Sequence, residues 1–110
     1  RNIIKLRDQY KKDSAISIVE AKKHPNLSLT LNKLKIKKFI NNSLILPRQQ
    51  MEKTYLINGA MYLSTREFIL DKKDFYGEET LGYIMPEERS VDIDNYIDFD
   101  WAEFLIKRYN

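Results

Sequence analysis

Ser14-Ala15-Ile16-Ser17-Ile18-Val19 is a short, branched, mostly apolar run set just after a charged stretch. It reads as a buried strand of an α/β sheet. Before it, Ile3, Leu6 and Tyr10 recur at helical spacing, so the chain is expected to start inside a helix. After it, His24-Pro25-Asn26 breaks the strand. Leu27, Leu29 and Leu31, then Leu34 and Ile36, alternate with polar residues around Asn32-Lys33, which predicts a two-stranded ribbon with lysines on its solvent face. Two strands alone are marginally stable, so such a ribbon is expected to pack on a second subunit or back within the chain.

Asn41 to Lys53 is polar and irregular, centred on Leu46-Pro47-Arg48-Gln49-Gln50, and predicts a loop. Thr54 to Leu63 predicts a strand interrupted at Asn58-Gly59, where glycine marks a bulge or a close backbone approach; a ligand is one cause of such an approach. Ser64-Thr65-Arg66-Glu67 has capping-box spacing, with Ser64 as the expected cap of a helix through about Leu70. A loop around Phe75-Tyr76-Gly77 and a strand from Thr80 to Met85 follow. Asp100-Trp101-Ala102-Glu103 repeats the capping spacing and opens a last helix, with Trp101, Phe104 and Leu105 as its buried stripe. Strands alternating with helices favour an α/β fold.

The chain has 110 residues, 43% of them hydrophobic, enough for one modest domain and not for two. It has no cysteine, which excludes disulfides and thiolate metal sites and points to a reducing cytoplasm. The single histidine, His24, excludes a multi-histidine zinc site within one chain. With no apolar run long enough to span a bilayer and no amino-terminal signal pattern, a soluble protein is expected. Net charge is +3, unevenly spread: up to Lys53 there are 13 Lys/Arg against 4 Asp/Glu, giving +9, and beyond it 6 against 12, giving −6. A basic surface beside an acidic one suits a polyanionic ligand with its metal, or a complementary partner chain. The lysines are scattered and lack the aromatic platforms or glycine-rich motifs of RNA binders, which argues against nucleic acid.

In Arg89-Ser90-Val91-Asp92-Ile93-Asp94, two carboxylates lie two residues apart, on one face if the segment is extended, with Val91 and Ile93 turned to the core. Carboxylates held this way suit a hard cation such as Mg²⁺, which leaves positions for water and substrate phosphate. Asp-x-Asp pairs are also common in loops and helix caps, and spacing alone does not separate the two readings.

Taken in order, Pro47-Arg48-Gln49-Gln50, Asn58-Gly59-Ala60-Met61-Tyr62, and Ser90-Val91-Asp92-Ile93-Asp94 followed by Asp98-Phe99 and Ala102-Glu103, this chain resembles the acylneuraminate cytidylyltransferases, or CMP-sialic acid synthetases. The resemblance covers nearly the whole chain and maps onto the second half of that family's catalytic domain. It implies the carboxy-terminal half of a Rossmann-like nucleotidyltransferase (nucleotide-diphospho-sugar transferase) domain, 1–110, with 27–53 as a β-ribbon dimerisation arm and loop. The parent enzyme would transfer CMP from CTP to the anomeric hydroxyl of an α-keto sugar acid, releasing pyrophosphate. The family's phosphate-cradling Gly-, Arg- and Lys-containing loop has no match here, so the fragment alone is expected to be inactive.

By the same resemblance Asp92 and Asp94 match the catalytic metal ligands for Mg²⁺, and Arg48 matches a substrate-contacting arginine commonly donated across a homodimer, with Gln49 beside it. Without the motif, Arg48 would read as a solvated loop arginine. Asn58 and Tyr62 match positions near the sugar pocket, and Phe75 and Tyr76 an aromatic pair lining its acyl side; by themselves Tyr62, Phe75 and Tyr76 would read as core. Asp98 and Asp100 read as helix caps. Many sialic acid members have an arginine where Leu56 stands, and some a lysine shortly after His-Pro, where this chain has Asn26-Leu27-Ser28. A related nonulosonic acid, legionaminic or pseudaminic, fits as well as sialic acid. The alternative is a non-catalytic dimerisation or binding module derived from the same fold.

Overall fold

The computed structural model describes residues 1–41 and 44–110, with the side chain of Arg48 outside the description. The chain forms two compact units, one of Arg1–Val19 with Leu56–Asn110 and one of Glu20–Tyr55. Among the described residues no helix is long and apolar enough to cross a membrane.

The first unit is built on a three-stranded sheet in the order β4-β1-β5, where β1 is Ser14–Glu20, β4 Tyr55–Ser64 and β5 Leu81–Ile84. The central strand contains the branched apolar run of residues 14–19. Its Ser14, Ala15, Ile16 and Ser17 are all buried, because it alone has a neighbour on both sides. β1 and β5 run parallel, with Ala15 beside Leu81 and Ile18 beside Ile84. On the other side the Thr65 N–H donates to the Asp13 carbonyl and the Met61 N–H to the Ser17 hydroxyl. One strand advances from Asp13 to Ser17 as the other retreats from Thr65 to Met61, so β4 is antiparallel to β1. The expected interruption at Asn58-Gly59 does not end the strand; Gly59 takes φ 74° within it, as a bulge glycine does.

Helix α1, Asn2–Tyr10, buries Ile3 and closes on Lys11 in the left-handed region. Tyr10, expected on its inner face, is exposed. Helix α2, Arg66–Lys72, is capped by Thr65, whose hydroxyl accepts the Phe68 N–H at 3.2 Å, and not by Ser64, which remains in β4. Helix α3, Tyr96–Tyr109, begins earlier than the sequence predicted. Asn95 caps it through the Asp98 N–H at 2.9 Å, so Asp98 lies inside the first turn and Asp100 caps nothing. Of its expected buried stripe only Leu105 is buried. Trp101 and Phe104 are half exposed and stack on each other at 5.4 Å.

In the second unit β2, Leu29–Asn32, pairs antiparallel with β3, Lys35–Lys38, in the register Leu31 to Ile36. Leu29, Leu31 and Ile36 share one face and Thr30, Lys35 and Lys37 the other, as the alternation predicts. The turn falls on Lys33-Leu34 and not on Asn32-Lys33. Lys33 has φ 58°, and Leu34, expected on a strand, stands at the tip with 96% of its surface exposed. The described residues that follow are irregular apart from a short 3₁₀ turn, Arg48–Gln50, and residues 42 and 43 of the expected loop lie outside the described residues.

Candidate functional site

The two candidate metal ligands do not lie on a strand end. Residues 90–93 form an unpaired loop between the 3₁₀ turn Glu87–Arg89 and α3. Ile93 is therefore half exposed, with no neighbouring strand to turn it inward, and only Val91 is partly covered. The loop is nonetheless fixed at both ends. At one end the Ser90 hydroxyl donates to the Pro86 carbonyl at 2.8 Å and accepts from the Asn58 amide at 3.1 Å. At the other the Asp98 carboxylate accepts the Asp94 N–H at 3.0 Å. Between these anchors Asp92 and Asp94 project into solvent, and neither carboxylate has a hydrogen bond or ion pair among the described residues. Two carboxylates of this kind fit a hard cation that completes its shell with water and phosphate. No group of three or more His, Cys, Asp or Glu side chains forms a closed cage among the described residues.

Asn58 is the hub behind this loop. Its Oδ1 accepts from the Ser17 hydroxyl at 2.6 Å and from the Ala60 N–H at 3.1 Å; its Nδ2 donates to Ser90 at 3.1 Å and to the Met85 sulfur at 3.3 Å. A primary amide has two donors and two acceptor positions, so all four are engaged inside the protein. Ser17, fully buried, accepts the Met61 N–H at 2.8 Å, and the Met61 carbonyl at 3.2 Å is a second acceptor within reach of the one hydroxyl proton that Asn58 takes. One side chain thus ties β4, β1, the end of β5 and the Asp loop together. Neither Ser17 nor Ser90 is predicted to have a role from local sequence pattern. The available signal was Ser17 itself, a hydroxyl inside an apolar buried strand, which needs a partner.

Tyr62, on β4, meets Phe75 with ring centroids 5.1 Å apart and planes tilted by 47°. Tyr76 does not join them. It is exposed on a cleft of about 900 Å³ whose lining includes Lys12, Glu67, Asp71 and Glu79. That cleft lies at the amino ends of β1 and β5, where the Ser14 and Thr80 hydroxyls bond at 2.7 Å. The Asp loop follows the carboxyl end of β5, the side on which open α/β sheets bind ligands. Arg48 and Gln49 belong to the Glu20–Tyr55 unit, where Gln49 lines a cleft of about 440 Å³ with Lys22, Lys23, His24 and Lys53.

No family model matches the chain. Curated relatives do. It is 32% identical over 103 residues, 93% of its length, to the post-translational flagellin modification protein B of Campylobacter coli, of which it covers 43%. Over 88 residues, 79% of the chain, it is 34% identical to an N-acylneuraminate cytidylyltransferase of Streptococcus agalactiae, covering 21% of that protein. Over 63 residues, 57% of the chain, it is 35% identical to the CMP-N,N'-diacetyllegionaminic acid synthase of Campylobacter jejuni, covering 27% of it. The chain spans less than half the length of each. The resemblance expected from the sequence is met: over parts of its length the chain is homologous to proteins named N-acylneuraminate cytidylyltransferase, CMP-N,N'-diacetyllegionaminic acid synthase and flagellin modification protein B.

Proposed function

We propose that this chain is the carboxy-terminal part of a Rossmann-like, CTP-dependent cytidylyltransferase that moves CMP onto the anomeric hydroxyl of a nonulosonic acid and releases pyrophosphate. The observation that carries the reading is the Ser90–Asp94 loop beyond the carboxyl end of β5, held at both ends with two carboxylates left free. Asp92 and Asp94 would hold Mg²⁺. When bound there, that ion neutralises charge on the triphosphate. Tyr62 and Phe75 offer an apolar wall for an acyl substituent, with Tyr76 the next aromatic along the chain. Gln49, and Arg48 beside it, would meet the acidic sugar or a phosphate; a guanidinium suits either group. Asn58 serves the pocket from behind, through Ser90. The chain alone is inactive in this reading, and the lack of cysteine fits work in the cytoplasm.

The ribbon β2–β3 belongs to a homodimer contact. Leu29, Leu31 and Ile36 share one face and are exposed, and a second copy is the partner that would cover them. Sedimentation of the full-length protein should give a dimer, and a monodisperse monomer would count against the arm. The function is tested by CTP- and Mg²⁺-dependent pyrophosphate release from the full-length protein, offered sialic, legionaminic and pseudaminic acids in turn. Release is expected with at least one. Folded protein that turns over none of them removes the enzyme reading and leaves a binding module.

A further inference from the structure

We infer that Ser17, Asn58 and Ser90 form a hydrogen-bonded relay that positions the Asp92 and Asp94 carboxylates for a divalent cation, with Asp98 fixing the far end of their loop. The inference rests on the reading of those two aspartates as Mg²⁺ ligands. It starts from an excess of order. A solvent-exposed loop with no strand partner needs no link to the middle of the sheet, yet this one has such a link through a single saturated amide. Each member is oriented by a second bond. Ser17 accepts the Met61 N–H, which leaves its one proton for Asn58, and Asn58 is held by the Ala60 N–H. The Ser90 hydroxyl gives its proton to the Pro86 carbonyl, so it presents a lone pair to the Asn58 amide. The relay therefore has one consistent set of donors and acceptors from β1 to the loop.

Asp92 is two residues from one anchor and Asp94 is itself the other, so the backbone path between the two carboxylates is short and held at each end. These groups touch no ligand oxygen; they fix the backbone from which the two ligands extend, one step further out than the partners that hydrogen-bond metal ligands directly. Asn58 is thereby a positioning residue. With every donor and acceptor of its amide engaged within the protein, it has no hydrogen bond left for a substrate.

The test is Mn²⁺ binding to the full-length protein, followed by loss of the free-ion electron paramagnetic resonance signal and by paramagnetic broadening of the Asp92 and Asp94 amides. Mn²⁺ stands in for Mg²⁺ because both take six oxygens. Ser90→Ala is expected to weaken Mn²⁺ about tenfold, the lower end of what losing an outer partner does, and to speed hydrogen exchange at residues 91–94. Ser90→Thr, which keeps the hydroxyl, should restore both. Ser14→Ala removes a hydroxyl from the same strand at its other end and should leave Mn²⁺ affinity unchanged. Wild-type affinity in Ser90→Ala, or equal loss in Ser14→Ala, overturns the relay. Wild-type protein that broadens neither amide overturns the metal reading beneath it, and the two failures are distinct.

Discussion

Ser17 and Ser14 provide a matched pair of perturbations. Both are buried serines of β1, both become alanine by losing one oxygen, and they differ in what that oxygen holds. Ser17→Ala removes the 2.6 Å bond to Asn58 and the acceptor of the Met61 N–H; the Met61 carbonyl is an alternative acceptor for the same proton and adds no third bond. A net hydrogen bond contributes about 1 kcal/mol, and an N–H left without a partner away from water costs about 1–3 kcal/mol. Asn58 keeps the Ala60 N–H, which limits the loss at its oxygen. The expected cost is about 2–3 kcal/mol on that basis. Ser14→Ala breaks one bond, to Thr80, whose hydroxyl keeps the Gly77 N–H at 2.7 Å and the Phe75 carbonyl at 3.4 Å. No orphan is created, so about 1 kcal/mol is expected. Urea unfolding followed by far-ultraviolet circular dichroism measures both, with the slope checked for constancy. Equal destabilisation at constant slope, or a larger loss in Ser14→Ala, would refute the assignment of Ser17 as the tie between the strands.

Three further outcomes follow from particular residues. Asp94→Asn in the full-length protein should lower turnover by about a hundredfold or more, the scale of a lost charge-stabilising contact, with an unchanged circular dichroism spectrum; an unaltered rate would take Asp94 out of the site. Thr65→Ala should cost about 1 kcal/mol by uncapping α2, whereas Ser64→Ala should cost less in the same urea titration. Lys33→Gly should stabilise the ribbon turn by about 0.5–1 kcal/mol, because glycine enters the left-handed region without the steric penalty lysine meets at φ 58°; a less stable variant would be the contrary result.

What the sequence made legible depended on how local the determining physics was. β1 could be read because a branched apolar run needs burial whatever surrounds it, and the ribbon because alternation between Leu31 and Ile36 is written into adjacent residues. The start of α3 is less legible, because Asp100-Trp101-Ala102-Glu103 has capping spacing inside a helix that Asn95 already caps. The stripe of that helix is apolar without being buried throughout: amphipathicity says which face wants cover, not whether cover exists, and Trp101 and Phe104 find chiefly each other. The Asp pair was picked out by spacing, yet its extended geometry was not realised, since no strand pairs with residues 90–93. The relay was beyond reach because Ser17 and Asn58 are 41 residues apart and Asn58 and Ser90 a further 32. No periodicity spans such distances.

The larger cleft is the obvious rival for the sugar, since it is roomy and Tyr76 stands on it. Its charges argue otherwise. Lys12 pairs with Glu79 at 3.0 Å and Lys72 lies 3.8 Å from Asp71, so two of its cations are already answered by neighbouring carboxylates. More carboxylates than lysines line it, which repels an acidic sugar. At the opposite ends of the parallel strands, the side on which open α/β sheets bind ligands, the Asp92 and Asp94 carboxylates have no such partners among the described residues, and a bound cation would offset their charge. The two sites separate on one substitution in the full-length protein. If the sugar sits at the carboxyl end, Lys12→Ala leaves its KM unchanged; if it sits in the larger cleft, Lys12→Ala raises it several-fold. A KM that rises in Lys12→Ala with the fold intact would move the sugar to the amino end and detach it from the aspartates.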